Sequence, residues 1–236
     1  MDEMKPIILL LHGALGSKDQ FGNLKKYLSQ SYEVVDFNFS GHGGKPFNLD
    51  TFSINGFTSE ILMFLEENKI SEISIFGYSM GGYVALDLAL KSPEKVEKIF
   101  TLGTKFQWSP EIASKEVKML DPEIIEAKVP KFAFALQKRH APNDWKKVLN
   151  KTVQMMTELG NGKAIPLNEF SKIEKQVIIG LGELDNMVSK EESLKVSKLL
   201  PNGVLELFDG FKHPIEQTDP QTLAKRILLH FKETNI

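Results

Sequence analysis

The run Ile75-Phe76-Gly77-Tyr78-Ser79-Met80-Gly81-Gly82 leads from apolar residues straight into G-x-S-x-G and on toward a helical pattern. A serine that attacks a carbonyl must sit in a strained turn with its hydroxyl clear of the backbone. Glycines flank it where any Cβ would collide with the neighbouring strand and helix. Such a turn also sets backbone N–H groups at a helix N-terminus, where developing negative charge is stabilised. Ser79 is therefore the candidate nucleophile. An unassisted hydroxyl attacks poorly, so a histidine base and a carboxylate to orient it must come from elsewhere in the chain. Five histidines compete. His12 and His42 precede glycines in upstream loops and read as structural. His140, in Lys138-Arg139-His140-Ala141-Pro142, reads as a solvated helix end, and His230 as a residue facing the dipole of the last helix. His213 follows the last strand, at the sheet edge where Ser79 emerges, and is the candidate base. The acid is expected after an intervening strand, where Gly182-Glu183-Leu184-Asp185 offers Asp185, with Glu183 in reserve.

These residues need a scaffold that brings distant loops to one edge, and the pattern supplies it. Apolar runs at 5–11, 32–39, 70–76, 96–102, 177–181 and 204–208 read as strands. Helical spacing separates them at 19–29, through Ile61 and Leu65, through Val84 and Leu88, and finally through Leu223, Ile227 and Phe231. Strand and helix alternating in this way predict an α/β fold, because parallel strands need crossovers. The expectation is a mostly parallel sheet of about six strands with helices on both faces. Residues 104–172 interrupt it with helix-like stretches at 111–120, 123–139 and 144–159. They read as a helical lid inserted into a core made of residues 1–103 and 173–236. The inserted segment carries 12 Lys+Arg against 8 Asp+Glu, leaving a net negative remainder.

Composition narrows the chemistry. The 236 residues are 42% hydrophobic and 25% charged, with 29 Lys+Arg against 31 Asp+Glu, so no basic footprint points to nucleic acid or an anionic membrane. The absence of cysteine rules out disulfides, thiolate metal sites and a cysteine nucleophile, and points to a reducing, cytoplasmic setting. The apolar stretch near the N-terminus is cut short by His12 and Gly13 and fails as a signal peptide. No run approaches the roughly 20 apolar residues of a membrane span.

Three separated motifs resemble the α/β-hydrolase superfamily: Leu11-His12-Gly13-Ala14-Leu15-Gly16, Ser40-Gly41-His42-Gly43, and the elbow from Gly77 to Gly81. The order Ser79, Asp185, His213 is also that family's order. The resemblance implies an oxyanion hole from the backbone N–H groups of Ala14 and Met80, with Leu15 as a secondary donor. It also implies a shortened, six-stranded sheet, because only eleven residues precede His12.

Serine at position 79 sets the chain apart from the dehalogenase and epoxide hydrolase branches, which use aspartate there. Ala14-Leu15-Gly16 differs from the glycine-proline-glycine of proline iminopeptidases. The menaquinone-pathway lyase has an arginine where this chain has Tyr83. The expected reaction is hydrolysis of a small carboxylic ester or thioester through an acyl-enzyme, with no cofactor and no metal. The alternatives are a carbon-carbon bond hydrolase or lyase using the same triad, and a ligand receptor on the hydrolase fold. Leu15, Tyr83, Phe106, Trp108, Phe132 and Met156 are the expected substrate contacts, the last four drawn from an apolar lid set that also includes Phe134 and Met155. The partner expected is the small-molecule substrate alone, and oligomeric state is not legible.

Overall fold

The computed structural model describes residues 5–48 and 52–232. Six parallel strands form one sheet: β1 (Ile7–Leu11), β2 (Glu33–Phe37), β3 (Ile73–Tyr78), β4 (Val96–Leu102), β5 (Gln176–Gly182) and β6 (Gly203–Phe208). They lie in the order β2-β1-β3-β4-β5-β6. Register is continuous across the sheet: Leu10 pairs with Asp36 on one side and Phe76 on the other, and Phe100 pairs with Phe76 and Ile178. The chain runs outward from β1 to β2 and then returns to β3 on the other flank. This reversal places the topological switch point between the C-terminal ends of β1 and β3, where open α/β sheets bind ligands.

Side chains alternate across the strands as the period of two requires. Leu9 and Leu11 of β1 face one core, shared with α2 (Ile54–Glu67) and α3 (Met80–Lys91). Ile8 and Leu10 face the other, with α1 (Gly22–Leu28) and α9 (Pro220–Lys232). Both faces of the sheet are thus covered, which explains why its strands read as continuous apolar runs. The third strand starts at Ile73 rather than at residue 70, because Ile70 belongs to the turn in which its N–H bonds Leu65 O. A helix that the sequence pattern did not single out, α8 (Lys190–Leu199), makes the crossover from β5 to β6, with Ser189 accepting from Glu192 N at its start.

Between β4 and β5 stand α4 (Pro110–Val117), α5 (Pro122–Lys128), α6 (Pro130–His140) and α7 (Trp145–Glu158). Ser109, Asp121 and Asp144 cap α4, α5 and α7 through their side chains. The single helix expected over 123–139 is two. Pro130 has no N–H to continue the ladder, so α5 ends before it and α6 begins on it. Ile125, Leu136, Leu149 and Met155 from these helices are continuous with the α2 and α3 core, so the insertion packs onto the body of the protein.

Candidate active site

Ser79 occupies the step from β3 into α3 at φ 51°, ψ −115°, a region disfavoured for any residue with a side chain and costing on the order of 1–3 kcal/mol. The surroundings hold it there. Its N–H donates to Leu102 O at 2.8 Å, and its carbonyl accepts from Thr104 Oγ1 at 3.0 Å and from Gly82 N at 3.1 Å. A Cβ on Gly81 would collide with the carbonyl of Leu11, and one on Gly77 would lie 2.5 Å from the backbone of Gly82. The motif's glycines therefore answer to close backbone approach between β1, β3 and α3. Met80, the first residue of α3, has no carbonyl within its helix to receive its N–H, which stays available to a ligand.

His213 follows β6 and is 9% exposed; it lines the same pocket as Ser79. Its Nδ1 lies 2.8 Å from Asp185 Oδ2, so the ring carries Nδ1–H and keeps Nε2 for other work. Asp185 Oδ1 accepts from the N–H groups of Met187 and Val188 at 2.8 and 3.0 Å. Burial acts to raise the Asp185 carboxyl, but the His213 hydrogen bond and charge and these two amides outweigh it and hold the group below the usual carboxylate range. Glu183 is exposed, whereas Asp185 is in contact with the ring.

The pocket around Ser79 and His213 is mainly apolar. Ala14, Met80 and Tyr83 form its floor, Trp108, Met155 and Met156 come from the inserted helical segment, and Met187 and Val188 follow Asp185. Tyr83 is fixed by accepting from Ile165 N at 2.8 Å, and burial raises its phenol so that it stays protonated. Lys105 and Glu116 also line the wall, paired at 3.2 Å, with Lys105 Nζ donating to Met187 O. This ion pair and Ile54 have no local sequence signal. Met187 and Val188 could have been found from their position just past Asp185.

Three expected substrate contacts are elsewhere. Phe106 is 2% exposed and packs edge-on against Phe170 at 5.8 Å, because the chain leaving β4 turns it into the core. Phe132 is 42% exposed on the outer side of α6, which buries Ala133 and Leu136 instead. Leu15 is buried beside the site, outside the pocket lining, and sits at φ 58° in a turn closed by Gly16 N–H to Gly13 O. His140, expected in solvent, is fully buried: its ring lies 5.6 Å from that of His42, and its nitrogens bond Leu15 O and Gly43 N. His12 and His42 serve their loops, with His12 Nε2 accepting from Phe39 N and His42 Nδ1 bonded to Ser40 O.

With Ser79, His213 and Asp185 set at the C-terminal edge of a parallel sheet, comparison with known proteins is informative. Residues 6–151 match the family model described as alpha/beta hydrolase fold, and the chain belongs to that family. It is 35% identical over 106 residues to the human "Serine hydrolase-like protein", covering 42% of this chain and 50% of that protein. It is 26% identical over 137 residues to the sn-1-specific diacylglycerol lipase ABHD11 of Xenopus laevis, covering 57% of this chain and 39% of the relative. The matches thus span half or less of these curated relatives. MGS-M2, an alpha/beta hydrolase enzyme from a Medee basin deep-sea metagenome library, superposes with a TM-score of 0.82 at 15% identity, covering 100% of this chain and 92% of that one, which speaks for the fold. Among the described residues no group of His, Asp or Glu could hold a metal ion, and no helix is long and apolar enough to cross a membrane.

Proposed function

We propose that this chain is a serine hydrolase that cleaves a small carboxylic ester or thioester through an acyl-enzyme intermediate. The observation that carries the reading is the convergence of Ser79, on a positive-φ turn, with a His213 already bonded to Asp185, in one apolar pocket. Ser79 Oγ attacks the substrate carbonyl while His213 Nε2 accepts the hydroxyl proton. Asp185 holds the imidazole in the Nδ1–H tautomer and stabilises its charged form. The oxyanion is received by the N–H groups of Ala14 and Met80, the latter at the start of α3 where the helix dipole favours negative charge. His213 then returns its proton to the leaving alcohol or thiol. A water deprotonated by the same nitrogen attacks the acyl-enzyme, and collapse of that second intermediate releases the acid and regenerates Ser79.

The pocket suits an unbranched apolar acyl group: four of its lining residues, Met80, Met155, Met156 and Met187, are methionine, whose flexible thioether adapts to chain shape. Residues 104–172 are read as a lid, a reading supported by Trp108, Met155 and Met156 from this segment lining the pocket that holds Ser79. The cysteine-free composition suits a reducing cytoplasm. A panel of p-nitrophenyl esters and acyl-CoA thioesters of increasing chain length tests the reading. Turnover of at least one series, abolished in Ser79→Ala, supports it. Turnover confined to carbon-carbon substrates, or tight ligand binding without any turnover, contradicts it.

A further inference from the structure

The turn Gly13-Ala14-Leu15-Gly16 is built at a cost. Leu15 has φ 58°, where a side chain crowds the backbone and glycine would ordinarily stand. Its carbonyl is held by two donors from the end of α6: Arg139 Nη1 at 2.9 Å and His140 Nε2 at 3.1 Å. The tautomer follows from the geometry. His140 Nδ1 accepts from Gly43 N–H at 3.2 Å, so the ring proton is on Nε2 and faces Leu15 O. Burial, reinforced by the neighbouring Arg139 charge, pushes His140 down to about 4, so the imidazole is neutral as this arrangement needs. Arg139 reaches a further anchor: its Nη2 donates to Glu216 Oε1 at 3.0 Å, three residues past His213. Glu216 in turn accepts from Gln20, whose Oε1 receives Ser17 N–H just beyond the Leu15 turn.

We propose that Arg139 and His140 are positioning residues that hold the Ala14–Leu15 turn in its strained form and so set the oxyanion-binding N–H of Ala14 opposite Ser79. Released from both donors, Leu15 relaxes toward negative φ, the turn closed by Gly16 N–H on Gly13 O loosens, and the Gly13–Ala14 peptide that carries the Ala14 N–H reorients with it. Gly13 transmits the change, because a Cβ there would lie 3.2 Å from Ser79 Cβ; the turn and the nucleophile are in direct packing range. Through Glu216 the same arginine ties the inserted helices to the loop that carries His213. Displacement of α6 thereby loosens two parts of the site at once. The role assigned to Ala14 rests on the hydrolase reading given above.

The test compares His140→Phe, His140→Gln and Arg139→Gln with the unaltered protein, each confirmed as folded by its melting transition. Glutamine can accept from Gly43 N–H and donate to Leu15 O, whereas phenylalanine fills the space without either bond. Amide exchange read by mass spectrometry over residues 13–16 is expected to quicken about tenfold or more in His140→Phe and Arg139→Gln, and to return toward the original rate in His140→Gln. With a fluorophosphonate, the maximal rate of Ser79 modification is expected to fall about tenfold to a hundredfold in the first two variants. The half-saturating concentration should stay within about twofold, with recovery in His140→Gln. Unchanged exchange in His140→Phe, or equal damage from phenylalanine and glutamine, would overturn the proposal. A parent protein that ignores the fluorophosphonate would remove the hydrolase reading, and the exchange measurement would still decide the role of the two residues in holding the turn.

Discussion

Asp185 Oδ2 and His213 Nδ1 meet at 2.8 Å above Gly103, whose φ of +62° lets the chain leave β4 directly beneath the pair. A Cβ at Gly103 would lie 3.1 Å from that same carboxylate oxygen and 3.2 Å from that same ring nitrogen. The acid and base are therefore held from one side by strand ends and from below by a residue without a side chain.

Gly103→Ala should damage activity twice over. The positive φ costs about 1 kcal/mol of stability for alanine, and the methyl group shifts the imidazole by a fraction of an ångström, enough to lower kcat/KM by about tenfold to a hundredfold. Steady-state kinetics with a chromogenic ester and a thermal melt check both parts. Wild-type kcat/KM in the folded variant would show that the ring is not confined from below.

Asp185→Asn should lower turnover by about 10⁴-fold, because an amide can present N–H to the ring and favour the wrong tautomer. Glu183→Gln should leave it nearly unchanged, since that side chain is exposed beside the turn. Turnover numbers of the two variants decide between the carboxylates, and the opposite pattern would assign the acid to Glu183.

Much of this constellation is legible in the sequence because its signals are local. Ser79 announces itself through glycines two residues to either side, each required by a backbone contact that a Cβ would break. Asp185 and His213 follow apolar runs, and parallel strands deliver their C-terminal ends to one edge. The inserted helices are different. Which way Phe132 points depends on where α6 begins, and that is set by Pro130 together with the packing of Leu136 and Ala133 onto the core. Helical periodicity describes a stripe without saying what it faces. His140 escaped for a related reason: a polar end, Lys138-Arg139-His140, reads as solvated until the Leu15 carbonyl and the Gly43 amide are brought to it by loops more than ninety residues away.

Buried neutral histidines make the protein acid-sensitive. Burial pushes His12 down to about 3 and His140 to about 4, and carries His42 well below its ordinary value. In the unfolded chain each imidazole takes up a proton near pH 6.5. Between about pH 6.5 and pH 4 the unfolded state thus binds more protons, and stability falls as pH drops. The loss is up to about 1.4 kcal/mol per pH unit for each such histidine. Urea unfolding midpoints at pH 7 and pH 5 should show this decline, and His140→Gln should reduce it. A midpoint that holds steady or rises on acidification would contradict the burial of these rings in neutral form.

The two tryptophans report on the inserted segment separately. Trp108 lines the pocket, and among the described residues its Nε1 has no hydrogen-bond partner, while Trp145 is buried in the core with Lys146 Nζ 5.7 Å from its ring centroid. A covalent acyl mimic on Ser79 should shift the emission of Trp145→Phe, which retains Trp108, and leave that of Trp108→Phe nearly unchanged. An unresponsive Trp145→Phe spectrum would place the acyl group away from Trp108.

The central claim is that Ser79 is a nucleophile activated by His213. Treatment with a fluorophosphonate followed by peptide mapping tests it most directly, because only a serine with a neighbouring base attacks phosphorus at a useful rate. A single adduct on the peptide containing Ser79, lost in Ser79→Ala and slowed about 10⁴-fold in His213→Ala, is the predicted result; an adduct on another residue, or labelling that persists in Ser79→Ala, would contradict it.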